Sequence, residues 1–177
     1  MSKRWMSQGT KSILFGCHNP IIHTICVARA WKKLYGHWPA WWQFVCIVIH
    51  DIGHWGLDYL DNYELKKQHW ELGAIWAEKM FGEKGFFFVA GHCKHSGLPL
   101  SPLYKADKYS WHLAPVWWLI LNNIAEPELR MGFARNIDAV RDFKAGVAKS
   151  VSTGNFTETH KFFLERKANV AVKESAL

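Results

Sequence analysis

Apolar positions return every three or four residues along most of this chain, the spacing of one face of an α-helix. Ile22, Cys26, Ala30 and Leu34 share such a face, and Lys32 and Lys33 are left for water. Asn19 can cap this helix, Pro20 suits its first turn and Gly36 can end it. A second helix is predicted from Pro39 or Ala40 to about His50; it is apolar nearly all round and is therefore expected to be central. A turn-rich piece follows to Tyr63. Glu64 to Phe81 reads as a third helix stopped by Gly82, and Phe86 to His95 as a fourth. The stretch SGLPLSPL breaks the pattern, and a short helix is predicted around Tyr104 to Ser110. Pro115 is tolerable near the start of a helix through PVWWLILNNIA, and EPELR begins another. β-branched alternation is scarce and no glycine-rich turn follows a strand, so a Rossmann or P-loop site is not supported. The expected architecture is all-α and single-domain: a helical bundle over residues 1–146, with the charged end, 147–177, as a peripheral segment.

The composition is that of an ordinary globular domain, with 49% hydrophobic and 21% charged residues. Eleven Trp beside eleven Phe point to an aromatic-rich core, and any Trp left outside would favour self-association into a homo-oligomer. The net charge of +7 is spread over surfaces such as Lys32, Lys33, Lys66 and Lys67. There is no long Lys/Arg block interleaved with aromatics, so a small anionic substrate drawn into a basic cleft explains the sign better than a nucleic acid. Cys17, Cys26, Cys46 and Cys93 form no CxxC pair, and the polar start MSKRWMSQGTKS lacks a secretory pattern. Reduced thiols in a cytoplasmic protein are the expectation. WPAWWQFVCIVI and APVWWLILNNI are both shorter than the roughly 20 apolar residues of a membrane span.

The chemistry begins where CIVIHDIGH ends an apolar helix in adjacent imidazole and carboxylate groups, His50 and Asp51, with His54 one turn later. Desolvating either group without a partner costs roughly 2–7 kcal/mol, whereas a metal ion turns that cost into binding energy. His23, His69, His92, His95 and Asp107 fall at comparable places on other predicted helices, as ligands in helical bundles do. Imidazole and carboxylate suit Fe, Mn, Zn, Co or Ni, and no cysteine is needed, so this is not a zinc-finger type of site.

The order His, His-Asp, His, His, Asp resembles that of the HD superfamily, an all-helical fold of metal-dependent phosphohydrolases. IHTICVARAW resembles its first-ligand helix, IVIHDIGH its eponymous motif, QHWELGAIWAEKMFG the helix adding a histidine when two metals are held, and VAGHCKHSGLPLSPLYKADKYS its closing segment. The resemblance covers about residues 15–125. It implies a first divalent transition-metal ion on His23, His50, Asp51 and Asp107, and a second on His69 and His92 with Asp51 bridging. His18 competes with His23, and His95 with His92, which a helix would place three residues apart on neighbouring parts of one face. His54 stands where HD nucleotidases commonly carry a glutamate; here it is a phosphate ligand or a proton donor. Asp51 would fix the nucleophile, and His54 or His95 would assist the leaving group. Lys94, Lys105 and Lys108 cluster near the final ligands as candidate contacts to a phosphate-bearing substrate. Trp55, Trp70 and Trp111 flank the ligands, one of them a candidate to stack on a base, and Asp58 and Asp61 read as solvent-facing turn residues.

The implied activity is hydrolysis of a nucleotide or related phosphate ester or anhydride by metal-activated water. A branch of the same fold with a similar six-ligand set implies another chemistry: oxygen-dependent cleavage of organophosphonate C–P or polyol C–C bonds by a mixed-valence di-iron pair. The short step from His92 to Asp107 and the ADKYS wording look more like the hydrolases. The GYP signature of cyclic-di-GMP phosphodiesterases is missing after His92.

Overall fold

Asn19 begins the first helix as its side chain allows: Oδ1 accepts the N–H groups of Ile21 (3.2 Å) and Ile22 (2.7 Å). The computed structural model describes residues 18–55, 67–125 and 137–155. Among these lie seven α-helices and no strand: α1 (Ile22–Tyr35), α2 (Trp41–Ile49), α3 (His69–Phe81), α4 (Glu83–Ala90), α5 (Pro102–Leu113), α6 (Val116–Ala125) and α7 (Ile137–Thr153). Two short 3-10 turns, Ile52–His54 and Lys94–Ser96, follow α2 and α4. No described helix is long and apolar enough to cross a membrane.

The helices close around two apolar clusters. Val27, Ala30, Trp31, Ile47, Ala74, Ala77, Val89, Leu103 and Ala106 join α1 to α5 in the larger one. Cys26, Trp118, Leu119, Val140, Phe143 and Val147 join α1, α6 and α7 in the smaller. Burying a Leu or Ile such as Leu103 or Ile47 completely contributes about 1.5–3 kcal/mol each, so these clusters hold the bundle together. The functional residues sit at one end of the larger cluster, where the start of α1 and the ends of α2 and α4 meet α3 and α5.

Two expectations are corrected. The second helix is not central: only Cys46 and Ile47 are buried along it, while Trp41 is 73% exposed and Phe44 and Val48 are exposed too. Nine residues packed against α1, α3 and α4 can bury one side only, and the remaining apolar face is left outside. The fourth helix ends at Ala90 rather than near His95, because the chain folds back there: Ser101 donates its N–H to the Gly91 carbonyl (2.9 Å). His92 therefore lies in a turn and His95 in the 3-10 turn beyond it, not on one helix face. α7 runs through Gly146 to Thr153 and buries Val147 and Ser150. Asp58, Asp61, Glu64, EPELR and the stretch from Phe156 onward lie outside the described residues.

Candidate metal centre

α2 ends at His50, and the next residues turn at once into the 3-10 segment, so His50, Asp51 and His54 point into one buried space. Two glycines let α3 close on this corner. A Cβ on Gly53 would run into the backbone carbonyl of His69, and one on Gly73 would lie 2.6 Å from the Ile49 oxygen and 2.8 Å from that of His50. His69 is thereby held beside Asp51. α1 brings His23 from its first turn, the turn after α4 brings His92, and the middle of α5 brings Asp107.

The donor atoms of His23, His50, Asp51 and Asp107 all lie within 4.8 Å of one another, and so do those of Asp51, His69 and His92. Asp51 divides its two oxygens between the groups. Oδ2 is 3.1 Å from His23 Nε2 and 3.2 Å from His50 Nε2; Oδ1 is 3.4 Å from His92 Nε2 and 3.8 Å from His69 Nε2. Asp107 Oδ1 completes the first group, at 3.3 Å from His23 and 3.7 Å from His50. Its Oδ2 accepts from Lys108 Nζ at 2.8 Å.

The shorter of these distances, 3.1–3.4 Å, would suit ligands around an ion. With metal–ligand bonds of about 2.0–2.1 Å, neighbouring donor atoms stand roughly 3.0–3.4 Å apart for octahedral to tetrahedral angles. His69 Nε2 and His92 Nε2, 3.1 Å apart, meet the same measure. Direct ion pairing explains the first group less well, because the buried Nε2 atoms of His23 and His50 have carboxylate oxygens nearby but none aligned for a hydrogen bond.

Ring orientation agrees. His50 Nδ1 lies 2.7 Å from the Ile47 carbonyl and His92 Nδ1 2.5 Å from the Val89 carbonyl, three residues back in each case. A carbonyl only accepts, so both Nδ1 atoms carry a proton and Nε2 is the nitrogen left to face inward. Charge is balanced within the group. Burial alone would lower the pKa of His23 and His50, but the carboxylates of Asp51 and Asp107 outweigh it, raising His23 and pushing His50 up to about 10. Burial would raise both carboxyls, yet His50 and His18 hold Asp51, and Lys108 with His23 and His50 holds Asp107, well below the usual carboxylate range.

Comparison with known proteins returns nothing similar: no protein-family profile, no curated protein and no solved structure matches this chain. The reading of the centre therefore rests on its chemistry. Two groups of imidazole and carboxylate donors sharing one carboxylate are suited to two divalent transition-metal ions.

The other expected residues are placed as follows. His18 and His23 are not alternatives: the His18 ring lies flat on His54, forming a third group with Asp51, while His23 belongs to the first. Lys108 engages a candidate ligand, and Lys94 and Lys108 both lie over the Tyr104 ring, at 5.6 and 5.9 Å. Lys105 and His95 are exposed. Trp111 stands near His18 and His23, its ring centroid 6.2 and 6.3 Å from theirs, whereas Trp70 packs against Phe86. The positioning roles of Gly53 and Gly73 were not anticipated, although a glycine inside HDIGH and another mid-helix at Gly73 signal close backbone approach.

Proposed function

We propose that this chain is a metal-dependent phosphohydrolase with an HD-type site, acting on a nucleotide or a related phosphate ester or anhydride. The observation that carries the reading is the divided carboxylate of Asp51, one oxygen turned to each histidine group. A carboxylate shared in this way would keep two ions at the short separation that two-ion hydrolytic centres use.

His23, His50, Asp51 and Asp107 would hold one divalent ion, and His69, His92 and Asp51 the other. When bound, such ions lower the pKa of a water molecule towards neutrality and offset the charge on phosphoryl oxygens. The chain's own residues orient the parts. Asp51 fixes the spacing of the two seats. The Ile47 and Val89 carbonyls lock two imidazoles in their tautomers, and Lys108 fixes Asp107. His54, buried beside Asp51 at 3.8 Å, is placed to meet a phosphoryl oxygen or to pass a proton to the departing alkoxide. His95, exposed in its turn, is less well placed for that step. Lys94 and Lys108, gathered at Tyr104, give the neighbouring rim a positive charge that favours an anionic substrate.

The test is a screen of nucleotides, cyclic nucleotides and phosphonates with protein purified anaerobically, its metal content measured and supplemented. Oxygen-independent release of phosphate that disappears on chelation supports the reading. Oxygen uptake by an iron-loaded pair, with C–P or C–C cleavage, would replace it by the oxygenase chemistry that the same six residues could serve.

A further inference from the structure

His18, in the turn that precedes α1, belongs to neither candidate ion seat. Its ring lies against that of His54, with centroids 3.7 Å apart and planes only 5° from parallel. His54 in turn rests against His69 at 4.3 Å, and Trp111 meets the outer side of His18 edge-on at 6.2 Å. One nitrogen from each stacked ring falls within 4.8 Å of an Asp51 oxygen, so the pair borders the space between the seats.

A third cation is the obvious occupant for His18, His54 and Asp51, and the stacking argues against it. An imidazole binds a metal in the plane of its ring, and two parallel planes in contact never meet. An ion midway between the rings would stand about 1.8 Å out of each plane, nearly the whole of a roughly 2.1 Å bond. Two side-by-side donors fit a different partner. Each ring carries at least one N–H in either protonation state, and two oxygens of one tetrahedral group are close enough together to accept one each. The cationic rim at Tyr104 and the net charge of +7 favour the same sign of ligand.

We propose that His18 is a substrate contact which, with His54, grips two oxygens of a terminal phosphoryl group. This rests on the phosphohydrolase reading and narrows its substrate class. A terminal phosphoryl group has three unesterified oxygens, so two can meet the imidazoles while the third faces the ion seats; a diester must share its two oxygens between both. Phosphomonoesters and terminal nucleotide phosphates are therefore the preferred substrates over phosphodiesters.

The test uses the full chain loaded with manganese(II), with ions per chain counted by elemental analysis and inorganic phosphate binding followed by calorimetry. His18→Phe keeps a flat ring on His54 and removes the N–H; His18→Gln restores a donor. Two ions per chain are expected in wild type and both variants. Phosphate binding should weaken about 10-fold or more in His18→Phe, as for the loss of one hydrogen bond to a charged group, and recover in part in His18→Gln. Should phenylalanine prevent folding, His18→Ala carries the same expectation. Methyl phosphate should bind more tightly than dimethyl phosphate. Three ions in wild type falling to two in His18→Phe would make His18 a metal ligand and overturn the proposal. So would unchanged phosphate affinity with two ions in place, or equal binding of the two methyl esters; either leaves the phosphohydrolase reading intact. Absence of any bound ion in wild type would sink that reading first, and this proposal with it.

Discussion

The two halves of the centre share Asp51 but are built differently. The half around Oδ2 is closed: His23, His50 and Asp107 are buried, and a lysine on α5 steadies the acid from behind. The half around Oδ1 has one ligand fewer among the described residues, and His69 is half-buried, with 14% of its side chain exposed. Closed sites with complete ligand sets hold ions for structure, and open ones leave room for water and substrate. On the proposed reading, the difference gives affinity to the first seat and exchange, with catalysis, to the second.

The largest effect is expected where the comparison breaks down entirely. Asp51→Ala removes the shared ligand and should empty both seats, taking metal content from two ions per chain to none and phosphate release to background. Retention of both ions would show that the carboxylate does not bridge. His69→Ala should separate the halves, lowering the stoichiometry to one ion and abolishing turnover while the remaining ion stays tightly held. Loss of both ions on that substitution would mean that the seats are not independent.

Smaller effects sharpen the contrast. Lys108→Met removes the cation that holds Asp107 and should weaken ion binding at the closed seat about 10- to 100-fold, as for other residues that orient metal ligands. Its side chain is 42% exposed, so the overall fold should be unaffected. The open seat should keep its affinity, measurable by competition with a chromogenic chelator. Gly73→Ala acts from the other side: its methyl group meets the carbonyls of Ile49 and His50 and must push α3 away from the HDIG corner. Overpacking of this kind costs about 1–3 kcal/mol, read as a lower melting temperature. His69 should lose its ion before the closed half does, because α3 carries it.

The unequal legibility of the molecule follows the same division. The six candidate ligands could be picked out because imidazole and carboxylate at the ends of apolar helices have few roles in a core, and because their order along the chain resembles that of a known fold. Their sorting into two groups could not: it depends on which oxygen of Asp51 faces which helix. The pairing of His18 with His54 joins two turns on either side of α1 and α2, and no periodicity connects them. The α2 error has a physical cause as well. An apolar helix reads as central only if neighbours cover every side, and α2 leaves Trp41, Phe44 and Val48 outside, as α3 leaves Leu72, Trp76 and Met80. For α4, the run FFFVAGHCKH keeps a helical rhythm past the point where Ser101 closes on Gly91 and stops it.

The finest test is pH, because the closed half binds protons when it lacks an ion. In chelator-treated protein the carboxyls of Asp51 and Asp107 sit well below their ordinary value of 3.8, so their contribution to stability is complete above that pH and lost as pH falls through the lower folded values. His23 and His50 are raised above 6.5; their contribution is complete below 6.5 and fades as pH rises, for His50 through about 10. Both contributions coexist only between 3.8 and 6.5, where the ion-free melting temperature should peak before declining towards alkaline pH. The ion reverses the alkaline limb. It requires neutral imidazoles, so binding releases the protons of His23 and His50 and should tighten as pH rises. The increment in melting temperature on adding manganese(II) should therefore grow from pH 6 to pH 9. An increment that stayed flat over that interval would place the ion away from His23 and His50, and the contrast between a closed and an open half would fail at its first seat.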